Sequence, residues 1–105
     1  MSNTQNRYVI KKTDALRAFR RTTYKRFLGS KEMGVAIWKY LKSIEEEMEY
    51  SLFMTNVEKV CHNYFKRIAE VGKCNIKFYR SFKYRCYHLK TKENNNIMYG
   101  EKEEN

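Results

Sequence analysis

The chain has no proline and only four glycines among its 105 residues. Glycine punctuation before residue 93 is confined to Gly29, Gly34 and Gly72, so turn and stop signals are scarce. Long apolar runs are also missing. Nothing approaches the roughly 18 residues of a membrane span, and Met1 to Asn6 lacks the basic-then-apolar pattern of a signal peptide. No membrane contact is expected, and the expected location is the cytoplasm, a nucleoid or the interior of a host cell. Cysteine is sparse and odd in number: Cys61, Cys74 and Cys86 read as reduced, small core residues rather than a disulfide framework.

The chemistry of catalysis is equally thin. There is no Gly-rich phosphate loop, no nucleophile elbow, no metalloprotease motif and no paired short cysteine spacing of the zinc type. Asp14 and seven glutamates precede residue 93, and none forms an obvious acid and base pair. His62, four residues after Glu58, and His88 in a basic segment are too isolated to build a nuclease on. The expectation is a protein that is not an enzyme and uses neither cofactor nor metal.

What the chain does have is positive charge and aromatic mass. Lys and Arg total 22 against 12 acids, a net +10, while 42% of residues are hydrophobic and 15% aromatic, enough for a core. One basic domain is expected over 7–92, between a disordered 1–6 and a disordered acidic tail, 93–105. The charge is not evenly spread. Residues 1–31 carry nine basic side chains against Asp14 alone, a net +8. Residues 32–72 set five basic side chains against seven glutamates, a net −2, and 73–92 carry seven basic side chains with no acid, a net +7. A fold that brought the two basic blocks together would create a field that attracts polyanions.

Patterning predicts the elements. Tyr8 to Ile10 reads as a short strand or extended arm. Thr13 and Asp14 offer an N-cap and first-turn acid for a helix to about Leu28, with Leu16, Phe19, Thr23 and Phe27 on one face and Gly29 as its stop. Arg17, Arg21 and Lys25 then stack a turn apart on the other side, beside Arg20 and Tyr24. Ser30 caps a second helix with Met33, Ile37, Leu41, Ile44 and Met48 on its apolar stripe. A capping-box pattern from Ser43 to Glu46, in an acidic cluster, leaves open whether residues 31–54 form one helix or two. A further box, Thr55 to Glu58, opens a helix carrying Val57, Val60, Cys61, Tyr64, Phe65, Ile68 and Val71, ended by Gly72. Its solvent stripe is Lys59, His62, Asn63 and Lys66.

From Lys73 to Lys90 the pattern alternates. Cys74, Ile76, Phe78, Tyr84, Cys86 and His88 share one face of an extended chain, and Lys77, Tyr79, Lys83, Arg85 and Tyr87 share the other. Matching faces across a hairpin requires a three-residue loop, Arg80 to Phe82, which pairs Phe78 with Tyr84 and Ile76 with Cys86. The expected class is therefore α+β: three to four helices followed by a C-terminal β-hairpin.

This order over about 31–90 resembles that of winged helix-turn-helix domains. The resemblance implies a recognition helix in the major groove and a hairpin wing on the flanking backbone. The expected function is a small basic nucleic-acid-binding protein, a DNA-binding regulator. Arg17, Arg21, Lys25, Lys59, Lys66, Lys77, Arg80, Lys83 and Arg85 would contact phosphates, Tyr79 and Tyr87 would stack, and Asn63 would read adenine. The partner would be DNA or RNA. An alternative is a small inhibitor or adaptor, of the kind viruses and phages make, whose basic face docks on an acidic protein of a nucleic-acid-handling complex.

Overall fold

A computed structural model describes residues 7–25, 31–65 and 69–92. They form four helices and a small sheet: β1 (Tyr8–Lys11), α1 (Lys12–Lys25), α2 (Lys31–Ser43), β2 (Glu47–Glu49), α3 (Tyr50–Phe65), α4 (Ala69–Leu89) and β3 (Thr91–Lys92). The expected termini at 1–6 and 93–105, together with Phe27, Leu28, Gly29, Ser30, Lys66 and Ile68, lie outside the described residues.

The largest correction is at the C-terminal end, where the expected β-hairpin is the 21-residue helix α4. The contacts expected between Phe78 and Tyr84 and between Ile76 and Cys86 do not exist as strand pairs, and the winged-helix-like arrangement falls with them. The buried positions of α4 are Gly72, Asn75, Phe78, Tyr79, Phe82 and Cys86, a spacing of three and four that belongs to a helix. Phe78 and Tyr79 are both buried although adjacent. Neighbours about 100° apart on a helix can share a core face, whereas on a strand they point to opposite sides.

The strand sequence that does form is elsewhere. β1 is central, antiparallel to β2 through Val9–Glu49, Ile10–Met48 and Lys11–Glu47, and antiparallel to β3 through Tyr8–Lys92 and Val9–Thr91. Ile10 is fully buried against the helices. Glu47 thus stands across from Lys11, and the acidic cluster is a turn and an edge strand rather than the junction of two helices. Segment 31–54 is neither one helix nor two abutting ones, because β2 intervenes.

Helix ends also differ from the expected caps. Thr13 lies inside α1, which starts at Lys12. The face that α1 buries is Ala15, Ala18, Phe19 and Thr22, rotated from the expected one; Leu16 is half-buried. Two alanines let a neighbouring helix approach closely, and buried Thr22 satisfies its hydroxyl by donating to the Ala18 carbonyl at 2.7 Å. Ser43 donates to the Tyr40 carbonyl at 2.6 Å, closing the end of α2 instead of opening a helix. Lys12 Nζ donates to the Lys42 carbonyl at 2.8 Å, and the Lys12 backbone N–H donates to Glu46 at 2.8 Å, tying α2's end to the start of α1. The N-cap of α3 is Glu49, whose carboxylate accepts the Leu52 N–H at 2.9 Å, so Thr55 lies within the helix.

Gly72 is not a helix stop. It lies inside α4, and a Cβ there would sit 2.7 Å from the Phe65 carbonyl oxygen at the end of α3. Beside it, Asn75 Nδ2 donates to the Tyr64 carbonyl at 3.0 Å, satisfying an α3 C-terminal acceptor from the neighbouring helix. Glycine is used here for close approach. In an open helix, Gly to Ala stabilises by about 1 kcal/mol, but the neighbour here is backbone and cannot swing aside. Gly72→Ala is expected to destabilise by about 1–3 kcal/mol, read as a lower urea midpoint; a midpoint that rises would show that α3 and α4 do not meet this closely.

The core is aromatic. Phe19 of α1 packs edge-on against Phe78 and Phe82 of α4 at ring-centroid distances of 5.8 and 6.1 Å, and meets Trp38 of α2 in a tilted contact at 5.4 Å. Phe82, which the hairpin reading put at an exposed tip, is fully buried and also meets Phe53 of α3 at 6.5 Å. The two most basic helices are therefore packed directly on each other.

Candidate nucleic-acid interface

Taking α4 as a helix redistributes its side chains. The side away from Phe78, Phe82 and Cys86 carries Lys73, Lys77, Arg80, Tyr84 and His88, at steps of three and four residues and all exposed. Successive members rise about 4.5–6 Å along the axis. Lys77 and Arg80 are expected site residues that stand on this stripe. Tyr87, 54% exposed, flanks it, and Lys83, one turn earlier, lies exposed on the same flank, its ammonium 6.0 Å from the Tyr79 ring centroid.

Two expected contact residues do not face solvent in this way. Tyr79 is 7% exposed; its ring packs on Phe65 at 5.6 Å and its hydroxyl donates to Glu58 Oε2 at 2.9 Å. Burial, reinforced by that hydrogen bond and the Glu58 charge, pushes the Tyr79 phenol well above its ordinary pKa. It joins α4 to α3 and cannot stack on a base. Arg85 is half-buried, and its Nε is buried with no hydrogen-bond partner among the described residues.

On α1, Arg17, Arg20 and Arg21 are exposed, and Arg17 makes an i,i+3 ion pair with Asp14 at 3.4 Å. Lys25 is the last residue of α1. On α3, Lys59, His62 and Asn63 are exposed as the periodicity predicts, while Lys66 lies outside the described residues. No wing accompanies α3, so the resemblance that would lay it in a major groove with Asn63 on adenine has lost its second half.

The aromatic residues at the end of α4 form two linked groups. His88 sits edge-on to Tyr84 at 4.3 Å and to Tyr87 at 5.6 Å. Lys90, just past the helix, places its ammonium 3.8 Å from the Tyr8 ring centroid, 4.1 Å from Tyr87 and 5.8 Å from Tyr50. These cation–π contacts hold the end of α4 against β1 and α3. Tyr50's phenol is pushed up to about 12, first by burial and then by Cys86 and Tyr87.

Two of the three thiols, Cys61 and Cys86, are buried. Burial pushes Cys61 up to about 12, with Glu58 adding to it, and burial pushes Cys86 higher still, so both stay protonated and inert. Cys74, Cys86 and His88, which a hairpin would have gathered on one face, are separated by the helix: Cys86 is buried and His88 exposed. Among the described residues no group of three or more His, Cys, Asp or Glu could hold a metal ion, and no helix is long and apolar enough to cross a membrane.

Lys73, Tyr84 and His88 are the stripe residues that the extended reading left out of the site, since it turned Tyr84 and His88 toward the core. The signal for them was present: Phe78, Phe82, Cys86 and Leu89 fall at i, i+4, i+8 and i+11. Compared with known proteins, the chain matches no family model, no curated protein and no solved structure.

Proposed function

We propose that this protein binds nucleic acid through the basic outer faces of α1 and α4. One observation carries the reading: the two most basic of the described helices pack on each other through Phe19, Phe78 and Phe82. Arg17, Arg20 and Arg21 on one helix, and Lys73, Lys77, Arg80 and Lys83 on the other, are all exposed. Packed helix axes lie about 8–10 Å apart, about one Debye length at 0.1 M salt, so the charges of both helices contribute to the potential a polyanion meets at low salt. Acids on the two helices are limited to Asp14, already paired with Arg17, and Glu70 in the first turn of α4. Such a surface suits a polyanion with closely spaced charges better than a folded acidic protein, whose carboxylates are sparser.

The test is a salt titration with naked nucleic acid. If about four to seven phosphates are neutralised, log affinity should fall against log salt with a slope of roughly −4 to −6 on duplex DNA. Micromolar protein that retains neither DNA nor RNA at low salt would overturn this reading and leave an acidic protein as the partner.

A further inference from the structure

Between α4's exposed residues lies a surface depression of about 380 Å³ lined by Arg80, Ser81, Tyr84 and Arg85. Its one aromatic wall, Tyr84, is 65% exposed, the most exposed large hydrophobic side chain among the described residues. A tyrosine so placed contributes little to the core; its only ring neighbour among the described residues is His88, edge-on at 4.3 Å, which leaves ring surface open to a further flat group. The other walls are two guanidinium-bearing side chains and a hydroxyl. Arg85 is half-buried, with its Nε buried beneath the wall, so only the outer part of its guanidinium can face the depression.

We infer that this depression takes an unpaired nucleobase of a single-stranded DNA or RNA, stacked on the Tyr84 ring, with the adjoining phosphates on Arg80 and Lys77. The inference rests on the nucleic-acid reading and narrows it to strands whose bases are free. An aromatic face amid basic side chains accepts any base by its π-face, while guanidinium groups stack on rings and pair with phosphates bidentately. A duplex keeps its bases stacked on each other and so presents only phosphates to this site. One base is all that the depression's single exposed ring can hold, and Lys73, Lys77 and Arg80, stepping away from it along α4, follow the backbone in one direction.

Fluorescence anisotropy with labelled 20-nucleotide strands separates the terms: oligothymidylate, oligouridylate, an abasic strand with the same number of phosphates, and a duplex. The thymidylate or uridylate strand should bind about 10-fold more tightly than the abasic one, since each stacked base contributes about that factor. Tyr84→Ala should remove that advantage and leave abasic affinity unchanged, and Tyr84→Phe should keep it. Tyr84 is exposed, so neither substitution should disturb the fold, and circular dichroism of both variants checks it. Comparing oligouridylate with oligodeoxyuridylate, which differ only in the 2′-hydroxyl, tells whether the strand is DNA or RNA. Equal affinity for abasic and base-bearing strands, or a Tyr84→Ala variant that binds both as before, overturns the stacking site while leaving the electrostatic reading intact. If none of these ligands binds at low salt, both readings fail together.

Discussion

Replacing Lys73, Lys77 and Arg80 together by glutamine is expected to weaken binding of a single strand or duplex by about 10²–10³-fold at 0.1 M salt. The size follows from counterion release. Each phosphate contact shifts log affinity by about 0.7–0.9 per decade of salt, so at 0.1 M, relative to the 1 M limit, three contacts amount to two or three decades. The loss should therefore shrink towards nothing near 1 M salt, and the slope of the salt titration should become shallower by about 2–3. Glutamine is chosen because it matches lysine and arginine in helix propensity, and all three residues are exposed, so the melting temperature should barely move. Anisotropy titrations at several salt concentrations measure both quantities. A slope that stays unchanged in the triple variant would show that phosphates are met elsewhere than on this stripe.

Truncating Phe78 to alanine should destabilise the protein by about 3–5 kcal/mol, as large core deletions do. Phe78 is fully buried, packs edge-on to Phe19 and lies parallel to Phe82 at 6.5 Å, so the cavity would open where α1 meets α4. Small domains have about 5–15 kcal/mol in total, which makes this about a fifth or more of the stability. Urea unfolding followed by circular dichroism measures it. The neighbouring position makes the test specific to a helix: Tyr79→Ala should also cost about 2–4 kcal/mol, because the ring is buried and its hydroxyl reaches Glu58. Tyr84→Ala should cost under about 0.5 kcal/mol, as an exposed surface change. A strand would reverse the last two, since it would expose Tyr79 and bury Tyr84. Tyr79→Ala proving harmless would therefore contradict the helix, whatever Phe78→Ala did.

The ambiguity of this segment has an identifiable source. Phe78 and Cys86 are eight residues apart, and positions i and i+8 share a face in a strand and also fall on the broad apolar face of a helix. Ile76 and Cys74 extend the alternation, and the wealth of tyrosine and phenylalanine favours a strand by composition. Two local features pointed the other way. Ile76 is the only β-branched residue from 73 to 90, and no glycine or proline is present there to make the turn that a hairpin needs. What decides is Phe82, midway between Phe78 and Cys86: a hairpin wastes it at a tip, whereas a helix drives it into Phe19 and Phe53.

The sequence by itself determined the partition of charge into two basic blocks around an acidic middle, because charge is counted and needs no partner to be read. It also determined the stripe Met33, Ile37 and Leu41 of α2, and the Val57 and Cys61 face of α3 with Lys59, His62 and Asn63 outside, where one period fits and no other does. Tertiary structure decided the rest. β2 and β3 have three and two residues, too few for any period, and exist only because β1 offers edges on both sides. The end of α3 is closed by Asn75 and Gly72 from α4, contacts between helices that no local cap pattern encodes. The helical state of 69–89 was chosen by what surrounds it: only a helix buries Phe78, Tyr79 and Phe82 at once, and burial of large aromatic surface outweighs a strand preference worth at most about 1 kcal/mol per position.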